Sequence, residues 1–273
     1  MGANIFQTKS LEQLTGDIEK GKGLKRSLTA LDLTLLGIGA IIGTGIFVLT
    51  GTAAANQAGP AITISYIMAG LACGFAALCY AEFASMIPVA GSAYTYAYAT
   101  LGEVIAWMIG WDLILEYAVG SMTVAIGWSG NFQRVLLSAG ITLPTWMQAG
   151  PGILPGAVIN LPAVIIVLLM MILLVVGVRE SARFNAAMVA IKILAVLIFL
   201  GVGFSHVDSA NWQPYTPYGW SGIMGAAAVV FFAYIGFDAV STTAEEAKNP
   251  QRDLPIGIIA SLGICTVLYI AVA

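Results

Sequence analysis

Charge, histidine and cysteine are what this sequence has least of. Only 9% of its 273 residues are charged, against 59% that are apolar, and the mean hydropathy is +0.91. That balance excludes a soluble domain of ordinary composition, and the net charge of −3 gives no reason to expect a nucleic-acid partner. The single histidine, His206, stands beside Asp208 at the end of an apolar stretch. Alone it makes neither a zinc site nor the nucleophile–histidine pair of an intramembrane enzyme. The three cysteines, Cys73, Cys79 and Cys265, fall inside apolar runs and read as small apolar residues. No enzyme activity, cofactor or metal follows from such a chain.

What is present is a series of apolar runs of the length a bilayer demands, roughly 20 residues each. They lie near 30–55, 62–86, 104–130, 160–179, 184–205, 222–243 and 255–273 and read as seven membrane spans of an all-α protein. The last has no polar or basic flank to anchor it, which suggests a chain truncated after about seven helices. Residues 1–29 carry Lys9, Lys20, Lys22, Lys25 and Arg26 and no signal-peptide core, so they read as a cytoplasmic tail. Arg179 and Arg183, then Lys248 and Arg252, fall on the tail's side, and only Arg134 lies in a loop on the other. The positive-inside rule therefore gives a multi-pass protein of the cell membrane, surrounded by lipid, with a cytoplasmic N-terminus.

Against this background Lys192, inside NAAMVAIKILAVLIFLGVGF, is costly, as are Glu116 in GWDLILEYAVG and Asp238 in FFAYIGFDAVS. A cation at the bilayer centre costs from about 2.5 to over 10 kcal/mol, and intramembrane charges mark ion or substrate pathways. Lys192 lies about 14 Å along its span and Glu116 about 18 Å along its own, at 1.5 Å rise per residue. A structural ion pair between them is the bland reading; a lysine that takes up and releases a proton is the functional one. Asp112, Glu82 and the Glu245-to-Asp253 cluster sit nearer span ends, where charges reach the interface. The run Tyr94, Tyr96, Tyr98 suits an amphipathic segment at the membrane surface.

Glycine is crowded where a helix should be stable. Span one reads LLGIGAIIGTGIFVLTG, and each glycine costs about 1 kcal/mol relative to alanine in a helix interior. Gly39 and Gly43 form a GxxxG pair suited to close helix packing, while Gly43-Thr44-Gly45 suits a break that exposes backbone groups to a ligand. Span six favours the break, because Gly236 and Asp238 interrupt a second apolar segment. Interrupted segments in corresponding positions of two halves point to a transporter's midplane site. Spans one and six then head two inverted repeats, with 30–205 holding the first five spans and 206–273 beginning the second. Half-helix ends offer N–H groups at one end and carbonyls at the other, which fits a zwitterion: its carboxylate on the Gly43-Thr44-Gly45 amides, its ammonium on carbonyls near Ile41 and near Phe232, Ala233, Tyr234 and Ile235.

At these residues a resemblance becomes specific. LGIGAIIGTGIFVLTG with AGPA at 58–61, CYAEFASMIPVAGSAYTYAYATLGE at 79–103, RFNAAMVAIK at 183–192 and AYIGFDAVSTTAEEAKNPQRDLPIGI at 233–258 together resemble the amino acid–polyamine–organocation transporters, most closely the bacterial cationic amino acid transporter branch. The resemblance implies a LeuT-type inverted-repeat fold with broken helices one and six, and proton-coupled uptake of small neutral or cationic amino acids. It implies Gly43, Thr44 and Gly45 as carboxylate ligands and Phe232 as an aromatic gate. It also implies Lys192 in the place where sodium-coupled relatives bind their ion, so that sodium is not expected, and Glu116 and Asp238 as acids near the side-chain end of the pocket. An amino-acid exchanger is the alternative. A seven-span receptor or a channel is disfavoured, since span seven holds no lysine for a retinal Schiff base and no ring of filter residues is evident.

Overall fold

The computed structural model describes residues 7–17, 24–43, 45–176 and 178–273, and among them every long element is a helix. In chain order these are α1 (Leu11–Asp17), α2 (Ala30–Ile41), α3 (Thr50–Ala53), α4 (Ile62–Met86), α5 (Ser92–Thr100), α6 (Glu103–Ser138), α7 (Leu161–Val176), α8 (Val178–Phe204), α9 (Gly219–Phe231) and α10 (Pro250–Val272). Five stretches are long and apolar enough to cross a membrane, and the first of them, Ala30–Met86, takes in both of the first two expected spans. The fourth expected span is present as Leu161–Val176, which at 16 residues is short for a crossing.

Residues 1–110 and 182–273 form one compact unit, and residues 111–181 form another. In the larger unit α10 packs on both α2 and α4, and α4 on α9. Small and branched residues let these helices approach: Ala69, Cys73, Ala77 and Ala84 line the buried side of α4, and Leu254, Ile258, Leu262 and Cys265 that of α10. In the smaller unit Gln133 on α6 donates to the Gln148 carbonyl (2.9 Å), and Asn160 accepts from the Ala163 amide to cap α7 (3.2 Å).

α2 begins at a capping box. The Thr29 amide donates to the Asp32 carboxylate at 2.9 Å, and the Asp32 amide returns a bond to the Thr29 hydroxyl, satisfying N–H groups that the first helical turn leaves free. Just before it, Ser27 and Leu28 donate their amides to the Glu246 carbonyl at 2.8 and 2.9 Å, and the Lys248 amide donates to the Leu28 carbonyl at 2.8 Å. This two-residue parallel bridge fastens the start of span one to the end of span six. The Glu245 carboxylate accepts from the Ala90 amide (3.3 Å), so the same end of span six also holds the connector ahead of α5. The tyrosine run forms α5, where Tyr96 is buried and stacks on Phe83 at 5.2 Å, while Lys9 lies over the Tyr98 ring. His206 is exposed in the turn after α8 and contacts the Val202 carbonyl.

Candidate substrate site at two helix breaks

Span one is broken where its glycines predict. α2 ends at Ile41, and Ile42 leaves helical geometry at φ −74°, ψ 100°. The chain resumes as a π-helical turn over Gly45–Leu49, a form that recurs at functional sites because it widens the helix locally. Thr44, the central residue of the expected carboxylate cradle, lies outside the described residues. Its neighbours differ from one another. A Cβ on Gly43 would meet nothing within 4 Å, whereas one on Gly45 would lie 2.6 Å from the Cβ of Ala233 and 2.9 Å from its Cα. Gly39, the other half of the GxxxG pair, faces the Asn185 side chain of α8 so closely that a Cβ there would have to displace its amide. Packing and breaking are thus both served, by different glycines.

Span six is broken in the same manner. α9 ends at Phe231, a tight turn covers Phe232–Tyr234, Ile235 is extended (φ −56°, ψ 134°), and a 3-10 segment runs from Asp238 to Glu246. Gly236 sits between them at φ +119° with Ala40 of span one 3.0 Å from where a Cβ would be. A side chain there would be strained by its backbone and blocked by its neighbour. The two breaks therefore touch at two points, Gly45 against Ala233 and Gly236 against Ala40.

Helix ends leave carbonyls without intrahelical partners, and two side chains collect them here. The Lys192 ammonium donates to the Gly39 carbonyl at 3.0 Å and the Ile42 carbonyl at 2.9 Å. A cation at this C-terminal end is favoured by the helix dipole as well as by the bonds. From α10, the Tyr269 hydroxyl lies 2.9 Å from the Ile41 carbonyl oxygen and 2.7 Å from that of Ala233, one from each break. Its ring packs on Tyr66 and Tyr234 with centroids 5.3 and 5.1 Å away. Tyr66 in turn shares a 2.7 Å hydroxyl contact with Thr50, and the Tyr234 hydroxyl donates to the Tyr66 carbonyl at 3.0 Å.

Of the residues expected from the sequence, Ile41, Gly43, Gly45, Ala233 and Ile235 gather at this junction with Lys192 beside them. Phe232 is 67% exposed next to Ala233, which suits a ring that swings rather than one locked in a core. Asp238 is buried at the start of the segment after the span-six break. Glu116 is exposed on α6 within the smaller unit. Among the described residues no group of His, Cys, Asp and Glu is arranged to hold a metal. Sequence reasoning missed Tyr66 and Tyr269, and the side chain of Tyr234. The signal was there, since a buried tyrosine hydroxyl usually finds a partner, and Tyr269 lies in an otherwise apolar run.

Comparison with known proteins adds an independent line. The sequence model of the family described as "Amino acid permease" matches residues 28–273. A branched-chain amino acid permease, BcaP, of Bacillus subtilis (strain 168) is 56% identical over 275 residues, covering 100% of this chain and 59% of its own length. A methylthioribose transporter of the same strain is 54% identical over 99% of this chain and 59% of its own length. The chloroplastic cationic amino acid transporter 9 of Arabidopsis thaliana is 43% identical, over 99% of this chain and 49% of its own. The chain thus spans about half to three-fifths of the length of these relatives.

Proposed function

The chain belongs to the amino acid permease family, within the amino acid–polyamine–organocation transporters its motifs resemble, and from that premise we propose that the protein is a secondary active transporter that takes up amino acids across the cell membrane. The observation that carries this reading is the contact of two broken helices. The carbonyl ends of α2 and of the turn after α9 meet the amide end that opens at Gly45, so partial charges of both signs face one place. A zwitterion matches that pattern through its ammonium and carboxylate. Gly43 and Gly45, with Thr44, hold the carboxylate; carbonyls of Ile41, Phe232, Ala233 and Ile235 hold the ammonium; and Phe232 closes over them.

Transport follows a LeuT-type alternating-access cycle over seven or more crossings, with the N-terminus cytoplasmic. Coupling is to protons through Lys192. The ammonium sits on carbonyls of the span-one break at 3.0 and 2.9 Å, so its loss of a proton weakens what holds that break in place and shifts the balance between access states. A sodium ion near the same carbonyls would be repelled by several kcal/mol even with an effective dielectric near 20. Asp238, buried at the start of the segment after the span-six break, tunes the side-chain end toward cationic substrates beside small neutral ones.

A second substrate class is raised by the relative named as a methylthioribose transporter. Methylthioribose has neither ammonium nor carboxylate, and would leave the two charged ends of the breaks without partners. The test is uptake into proteoliposomes of labelled branched-chain, small neutral and cationic amino acids and of methylthioribose, under separately imposed proton and sodium gradients. Proton-driven accumulation of amino acids is expected. Accumulation of methylthioribose alone would replace the amino-acid reading.

A further inference from the structure

Tyr269 reaches the site from a third helix. It comes from α10, it is fully buried, and its hydroxyl contacts one carbonyl of each break, Ile41 at 2.9 Å and Ala233 at 2.7 Å. A phenol has one proton to give and two lone pairs with which to accept. Two acceptors within reach of one donor are drawn toward the same point, so the carbonyls from separate helices converge instead of splaying apart. The tilt of the ring is fixed by its neighbours. Tyr66 and Tyr234 flank it at 5.3 and 5.1 Å, and both have hydroxyl partners of their own in Thr50 and the Tyr66 carbonyl. The hydroxyl is therefore held in place by a packed and bonded shell, the condition a positioning group needs.

We propose that Tyr269 is a positioning residue of the substrate site: by fixing the aim of the Ile41 and Ala233 carbonyls it makes the site selective for a primary ammonium over an N-alkylated one. This rests on the amino-acid reading above. A primary ammonium has three N–H donors to place among the break carbonyls. An N-methyl group removes one donor and sets a methyl against an oxygen whose direction cannot relax, and sites built on fixed hydrogen bonds reject analogues that leave those bonds unmade. Without the hydroxyl the two carbonyls reorient independently, and the penalty on the methyl falls.

The test compares equilibrium binding of alanine or leucine with that of the N-methyl derivative, in wild type, Tyr269→Phe and Tyr215→Phe. Tyr269→Phe keeps the ring and should lower the preference for the primary amine about tenfold, a magnitude well within hydrogen-bond discrimination, while Tyr215→Phe, which loses an exposed hydroxyl bonded to Thr63, leaves the ratio unchanged. An unchanged ratio in Tyr269→Phe overturns the proposal even if affinity for both compounds drops, because a merely structural tyrosine weakens them alike. If Tyr269→Phe does not fold, 3-fluorotyrosine at position 269 keeps the volume and strengthens the donor. The ratio should then widen, and no change counts against the proposal. A wild-type protein that binds neither compound overturns the amino-acid reading itself, and this inference with it.

Discussion

Lys192→Met removes the ammonium that donates to both the Gly39 and the Ile42 carbonyl. In the wild type, uptake should rise as the outside is made acidic relative to the inside. In the variant the pH profile should be flat, with substrate binding retained and accumulation against a gradient lost; the same profile in both proteins would leave Lys192 a structural cap on α2. The neighbouring glycines separate binding from folding. Gly43→Val adds its side chain to open space and should abolish binding with thermal unfolding unchanged, whereas Gly45→Val drives a Cβ to 2.9 Å from the backbone of Ala233 and should lower stability by about 1–3 kcal/mol. A detergent-based unfolding assay beside a binding assay tells them apart, and equal stability loss in both would mean that Gly43 is packed too. At this scale the sequence was informative wherever a residue is expensive, as with the lone lysine and the clustered glycines. Tyr269 showed in the sequence only as a hydroxyl in an apolar run, and its partners are two carbonyls more than 30 and 200 residues away in the chain.

Among the elements, the breaks were read from glycine content, but their geometry was not. The π-helical turn at Gly45–Leu49 and the 3-10 course of Asp238–Glu246 reflect how the two broken ends pack on each other, which no periodicity records. The expected third span near 104–130 continues to Ser138, because Asn131, Gln133 and Arg134 end the apolar window without ending the helix. Nor could hydropathy foresee the bridge of Ser27 and Leu28 to Glu246 and Lys248, made by backbone groups over long separation. That bridge makes the first half of span one and the second half of span six one mechanical piece at their shared end. Leu28→Pro deletes one of the two amides that bond the Glu246 carbonyl and should loosen the bridge, seen as faster hydrogen exchange of the Lys248 amide, which donates to Leu28. Unchanged exchange would mean the bridge closes without that bond. Thr29→Ala, which breaks the capping box, should cost about 1 kcal/mol of stability, read from thermal unfolding.

For the whole molecule, the class of the protein was legible from scarcity of charge alone, and the family from ordered motifs that the match over residues 28–273 supports. Substrate identity was not, because in the proposed site a zwitterion would be held largely by backbone groups common to every side chain it carries, and the relatives' names divide between branched-chain and cationic amino acids and methylthioribose. The central claim is that two broken helices bind a zwitterion by both its charged ends. Its most direct measurement is equilibrium binding of one labelled amino acid competed by three unlabelled forms: the amino acid itself, its methyl ester and its desamino acid. Displacement is expected by the first and at least a hundredfold weaker competition by the other two, since each analogue loses two or more charge-assisted bonds worth about 1.5–3 kcal/mol apiece. Competition by the ester or the desamino acid as strong as by the amino acid would contradict it.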